Sequence, residues 1–259
     1  MDYSTGLPQI SIPLYEVKSG SLSVPISISY HASGCKVSDR DGPVVVGWSL
    51  VAGGMISRTI HGDPDFGIFP FPSPFETIDL TNRDDLGYFE NIMHFDKDSH
   101  LTSRGYWTDS QYDIFSYSFG GDTGKFIFKD EDGAKTLVLI PHKPYQIKPL
   151  TSVNPGGIEV IDDKGTYYFF SGWESIDGKT TGYSLEQMIS ADKTDTISFV
   201  YSAFTQERIS RSQQILLKDE YSPYGTEISQ TSAEITNRET YQISRLTEIH
   251  FNNGKVIFN

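Results

Sequence analysis

The feature that most constrains this chain is a set of short turns, each placed between two runs of alternating apolar and polar residues. "FSYSFGGDTGKFIF", "FIFKDEDGAKTLVLI", "IEVIDDKGTYYFF" and "IHFNNGKVIF" share that plan, and "MISADKTDTISFVY" follows it with a turn that lacks glycine. Asp-Gly, Lys-Gly and Asn-Gly between such runs supply the positive φ that a tight hairpin needs. In each unit the second strand is short and aromatic: "GKFIF", "GTYYFF", "DTISFVY", "GKVIF". Irregular repetition of one hairpin unit predicts a meander in which each hairpin covers its neighbour's edge. Fifteen Tyr, sixteen Phe and three Trp suit a pleated surface better than a helix. The expectation is an all-β chain, an antiparallel hairpin meander forming packed sheets.

The N-terminal part follows the same rule. Residues 7–31 alternate on both sides of "KSGS", which predicts a hairpin. Pro13 and Pro25 each remove a ladder donor, so they belong at an edge or a bulge. "PVVVGWSL" and "GMISRTIH" are strand-like runs joined tightly by "VAGG". Residues 63–112 break the pattern. "DPDFGIFPFPSPF" is too rich in proline for a central strand. "TNRDDLGYFENIMHF" offers Asn82 as an N-cap and Leu86, Phe89 and Met93 on one face, which predicts a short helix within 80–95. The organisation is one module over 1–259: N-terminal hairpins and corner (1–62), a helix-containing insertion (63–112), and repeated hairpins (113–259). Strand patterning almost at the first residue and through the last suggests a piece cut from a longer polypeptide.

The stretch "VGWSLVAGGMISR" reads as a β-corner whose residues serve structure. Gly53 and Gly54 provide backbone freedom where a Cβ would clash, and Gly47 is counted with them as a structural residue. Trp48 is expected to fill space between two layers. Arg58 alternates with Ile56 and Ile60, so all three should share one face. A buried arginine there requires a carboxylate or several carbonyls, because an unpaired buried charge is costly.

Several chemistries lack their residues. The net charge is −13, and the pI is about 4.8. No basic cluster suits nucleic acid, and the acidity disfavours anionic membranes. No apolar run approaches the roughly 18–20 residues of a membrane helix, and no signal peptide is visible. Cys35 is the single cysteine, so no internal disulfide forms, and with His31 nearby but no orienting group it reads as a packed thiol. The histidines (His31, His61, His94, His100, His142, His250) form no HExxH pair, and His94 and His100 read as loop residues. There is no GxSxG elbow and no P-loop; "FGGDTG" lacks the helix that would receive a phosphate. Asp63/Asp65, Asp84/Asp85, Asp130/Glu131/Asp132 and Asp162/Asp163 could supply glycosidase carboxylates only if two faced each other across a cleft; adjacent acids in turns are ordinarily turn chemistry. For calcium, "DRDG" (Asp39, Asp41), "DPD" (Asp63, Asp65) and "DEDG" (Asp130, Asp132) place oxygen ligands in loops without a full EF-hand. Asp63 and Asp65 are the best-placed pair, and no cofactor is otherwise expected. "TYYFF" sets Tyr167 and Phe169 on one face and Tyr168 and Phe170 on the other, so a solvated face could stack a sugar or a partner.

These segments together resemble a known family. "TGLPQISIPLYEVKSGSLSVPISISYHASGCKV", "VGWSLVAGGMISR" and "YDIFSYSFGGDTGKFIF" are similar to the region preceding the repeats in bacterial RHS/YD-repeat proteins, and to the SpvB-like region of Tc-type toxin subunits. The family pattern GxGWSLxxGGxIxR is matched at Gly47, Trp48, Ser49, Leu50, Gly53, Gly54, Ile56 and Arg58, and missed at Val45. "VIDDKGTYYFF", "YSLEQMISADKTDTISFVY" and "LTEIHFNNGKVIF" follow in the family's order; residues 66–110 lie outside the likeness. The resemblance implies a secreted or surface-exposed bacterial parent, a non-enzymatic β-scaffold, and any toxic activity in a separate segment. The expected partner is the remainder of the parent polypeptide. The second reading is a carbohydrate- or protein-binding adhesin module, with a glycoside hydrolase below it.

Overall fold

Alternation along the chain becomes sheet among the described residues. The structure is a computed structural model that describes residues 9–31, 47–61, 64–65, 112–131, 134–150, 156–222 and 225–258. Every regular element among the described residues is a strand. Three form one sheet in the order β1 (Gln9–Ser19), β2 (Leu22–His31), β3 (Trp48–Ala52). The other eleven form a second, branched sheet: β4 (Met55–Thr59), β5 (Ile114–Phe119), β6 (Asp122–Glu131), β7 (Ala134–Ile140), β8 (Gln146–Pro149), β9 (Ile158–Ile161), β10 (Tyr167–Ile176), β11 (Lys179–Ile189), β12 (Thr196–Ser222), β13 (Gly225–Phe251) and β14 (Gly254–Ile257). The helix expected within 80–95, with Asn82, Leu86, Phe89 and Met93, lies outside the described residues, as do Cys35, Asp39, Asp41, Asp63, Asp84, Asp85, His94, His100 and Asp132.

All pairings are antiparallel, and apart from β4–β11 and β10–β13 each joins strands consecutive in sequence. This is meander logic applied twice, over β4–β7 and over β8–β14. The β10–β11 hairpin fastens the two halves. One edge of β11 takes β4 at Gly182–Ser184 and β12 at Gln187–Ile189. One edge of β10 takes β9 at Tyr167–Phe170 and β13 at Ser175–Ile176. Register shifts at Phe169/Phe170, Phe170/Gly172 and Glu174/Ser175 accompany that change of partners. An extra residue on one strand bends it and increases its twist, which lets one hairpin serve two directions of sheet.

The core lies between these arms. Ile56, Phe115, Tyr117, Phe119, Phe126 and Phe128 come from β4–β6; Ile158, Val160, Tyr168, Phe170, Leu185, Met188, Ile197, Phe199 and Ile249 come from β9–β13. Val17, Leu22, Val24 and Ile26 add the small sheet to the same cluster. Phe119 joins the two halves directly, its ring 4.7 Å from that of Tyr168 and 5.4 Å from that of Phe170. Phe115 stacks on Phe126 at 5.0 Å. The alternation in "TYYFF" is visible as burial: Tyr168 and Phe170 are buried, whereas Tyr167 and Phe169 are half-buried and stacked on each other.

Pro13 stands at a register shift in the edge strand β1, and Pro25 lies one residue beyond the part of β2 that pairs with β3. Trp48 departs from expectation. It is half-buried at the start of β3, tilted against Tyr30 at 5.2 Å, rather than buried between layers. β12 and β13, of 27 residues each, pair from Ser198↔His250 to Ser222↔Gly225. Their base is buried through Ile197, Phe199 and Ile249. From Ser202 to Gln213 every side chain on β12 is exposed.

Phe119→Ala is expected to cost about 3–5 kcal/mol, because it removes a buried aromatic linking both halves. Urea denaturation of the variant beside the wild type measures this, and a loss under about 1 kcal/mol would mean the halves are held by other contacts.

Candidate functional site

The residues singled out in "VGWSLVAGGMISR" converge where the chain leaves one sheet for the other. β3 ends at Ala52 in the three-stranded sheet, and β4 begins at Met55 in the eleven-stranded one. The two glycines between them do different jobs. Gly53 has φ +94°, in the left-handed region, and a Cβ there would lie 2.9 Å from the Phe199 ring. Gly54 is needed for proximity: a Cβ would lie 2.6 Å from Phe119 Cβ and 3.1 Å from the Ser118 carbonyl oxygen. Its own carbonyl accepts the Leu185 N–H at 3.0 Å. Gly47, before β3, has φ +82°.

Four residues beyond the corner, Arg58 enters the core. It is buried on the same face as Ile56, with Ile60 half-buried beyond. The partner is Asp113, the residue before β5. Arg58 Nε donates to Asp113 Oδ2 at 2.7 Å, and Nη2 lies 2.5 Å from the same oxygen. The side chains are 1% and 0% exposed. The Arg58 guanidinium also lies 5.5 Å from the centre of the Phe115 ring. Asp113 carries further load. Its Oδ1 accepts the His61 N–H at 3.0 Å, and its Oδ2 accepts the Asp65 N–H at 3.1 Å. The Asp113 N–H in turn donates to Asp65 Oδ2 at 2.6 Å. Two aspartates thus clasp each other's backbone, one on each side of residues 66–112. Burial pushes the nearby Tyr183 hydroxyl up to about 12, against the opposing influence of Arg58.

Asp65, half of the pair taken as calcium candidates, spends a carboxylate oxygen on this clasp and is buried. Asp162 is engaged in its own turn, accepting the N–H groups of Lys164 and Thr166 and the hydroxyl of Tyr168. Asp163 is exposed. His250 lies 2.5 Å from Glu248, which also holds Lys255. Among the described residues no three His, Cys, Asp or Glu come together as a metal site would require.

Two further polar groupings stand apart from the corner. Asp122, after the Gly120–Gly121 turn, takes Lys143 on both carboxylate oxygens and the Tyr145 hydroxyl at 2.6 Å. These bonds hold its carboxyl below the usual aspartate value, with Lys143 the largest influence. The group fastens the chain after β7 onto the β5–β6 turn. On β10, desolvation raises the Glu174 carboxyl above its ordinary value, opposed by the Ser244 N–H at 3.3 Å.

Asp113 and Tyr183 escaped the sequence reading. The signal for Asp113 was present: Asp113, Phe115, Tyr117 and Phe119 alternate in "YDIFSYSF", and all four are buried. An acid in phase with three buried aromatics implies a buried cation. No family model, curated protein or solved structure matches the chain.

Arg58→Met is expected to cost about 3–5 kcal/mol, since it strands a buried carboxylate. Asp113→Leu should cost at least as much, because it also orphans the His61 and Asp65 N–H groups at about 1–3 kcal/mol each. The double variant should therefore remain destabilised. Denaturant titration of the three proteins checks the order; recovery by the double variant would show that the backbone clasp contributes nothing.

Glu174→Gln should stabilise the protein at neutral pH. A carboxyl whose folded pKa is raised binds its proton more tightly when folded, so stability falls as pH rises through that pKa. The gain from glutamine should shrink as pH drops below the ordinary glutamate value, where both states are protonated. Melting temperatures of both proteins across that range read the effect; a gain independent of pH would assign it to packing.

Proposed function

We propose that this chain is a non-enzymatic β-scaffold module of a large secreted or surface protein of the RHS/YD-repeat kind. The observation that carries the reading is the use made of the signature residues. Gly53 and Gly54 build the sheet-to-sheet corner, and Arg58 is sealed against Asp113 with 1% of its side chain exposed. A ligand-binding or catalytic arginine needs solvent access; this one holds strands together. The partner under this reading is the remainder of the parent polypeptide, and any effector chemistry belongs to that remainder.

One observation favours a second reading, an adhesin module that binds a glycan or protein. Trp173 on β10 is 52% exposed, and an exposed indole is a common platform for a sugar ring. The two readings separate by experiment. The scaffold reading expects no glycan on an array to be retained, and no polysaccharide to be cleaved. It also expects further strand–turn–strand repeats encoded next to this segment. Retention of a glycan that is lost on Trp173→Ala with an unchanged melting temperature would establish the adhesin reading instead.

A further inference from the structure

The β12–β13 hairpin continues past the body as a two-stranded ribbon. At about 3.3 Å per residue, 27 residues span about 90 Å. Its two outer edges differ. β13 gives edge positions to β10 at Tyr241–Gln242 and to β14 at Glu248–Phe251. β12 gives only Thr196–Ser198, to β11. From Phe199 to Ser222 no strand among the described residues pairs along that edge. Between Tyr201 and Ser222 the strand has no proline and no register shift against β13. Those are two of the devices by which sheet edges are kept from pairing.

The side chains along this edge are self-complementary. Glu207, Ile209 and Arg211 follow at intervals of two, so they share one face of the ribbon. All three are exposed, Ile209 by 46%. Within the hairpin, Arg208 on the other face stands opposite Glu239, a matched pair. Glu207 stands opposite Thr240 and Arg211 opposite Thr236, so neither directly faces an opposite charge, and the nearest opposite charges across the hairpin, Arg238 and Glu234, are a diagonal step away. Setting a second β12 antiparallel to the first about a two-fold axis at Ile209 answers both. Glu207 of each copy then faces Arg211 of the other, and the two isoleucines meet at the axis.

We propose that the chain forms a two-fold dimer by antiparallel pairing of β12 edges centred on Ile209, with reciprocal Glu207–Arg211 contacts. One patch serves both copies, as a closed isologous interface requires. The inference does not depend on the function proposed above.

Size-exclusion chromatography with light scattering on the 259-residue chain tests it. The expected result is a mass that rises to twice the chain mass with concentration. Arg211→Glu and Glu207→Arg should each weaken dimerisation by about tenfold or more, since each turns two cross-strand attractions into repulsions. Combining the two restores complementarity with the signs exchanged, and should restore the dimer. Circular dichroism should be unchanged, and so should the melting temperature at concentrations low enough for both proteins to be monomeric, because both residues are exposed. If a charge variant loses its fold, Ile209→Lys serves in its place by setting like charges together at the axis. A chain that stays monomeric at every concentration overturns the proposal. So does a dimer indifferent to these substitutions, or a double variant that fails to recover.

Discussion

The ion pair between Arg58 and Asp113 is the constraint on which the arrangement of this protein most depends. A guanidinium and a carboxylate removed from water have a large desolvation penalty, and their attraction offsets it only when geometry is good and remaining polar groups are satisfied. Asp113 meets that condition by accepting from Arg58, His61 and Asp65 together. Satisfying it brings β4, the chain after β4, and the start of β5 to one point. Once they meet, the Arg58↔Phe115 register between β4 and β5 is set, and with it the inward face of "FSYSF". A slipped register would leave an arginine or an aspartate buried alone.

The corner before Arg58 works by close approach. At Gly54 two backbones come near enough that a methyl group has no room, so β4 can lie beside β5 while accepting a hydrogen bond from β11. A similar economy operates at the other end of the small sheet. Gly20, in the β1–β2 turn, sits against the Asp195 carboxylate in the β11–β12 turn, and a Cβ there would overlap it. Asn252, in the β13–β14 turn, donates to Asp195 Oδ1 at 2.8 Å. Three turns far apart in sequence are thereby locked together, and the three-stranded sheet is held against the larger one by polar contacts as well as by Val17, Leu22, Val24 and Ile26.

The hairpins were legible because their determinants are local. A short run of turn residues with alternation on both sides is a local property of the chain, and β5–β6, β9–β10, β11–β12 and β13–β14 all fall on turns visible in the sequence. The Asp177–Gly178 turn of β10–β11 had the same signal, with both residues at positive φ, but "SIDGKTTG" lacks the apolar alternation that marks the other units. The length of β12 and β13 was hidden for a related reason. On β12 every side chain from Ser202 to Gln213 is exposed, so nothing there imposes a period-two pattern. Trp48 was misjudged because size suggests burial, whereas position at the first residue of a strand leaves a side chain partly uncovered. The partner of Arg58 could not be assigned from its own strand, since Asp113 is 55 residues away. It is the fold that makes them neighbours. The same separation hides any site assembled from several strands, so function was less legible than architecture.

The reciprocal clasp between Asp65 and Asp113 has a consequence for how this chain can change. Because each aspartate binds the other's backbone, the points where residues 66–112 leave and re-enter the sheets are held together by the scaffold itself. Closing a loop across fixed ends depends only weakly on its length, about 0.6 kcal/mol for each doubling. A change in the number of residues between the two aspartates therefore alters the entropy of closure by little. The two aspartates have no such latitude, because each carboxylate holds the other's backbone.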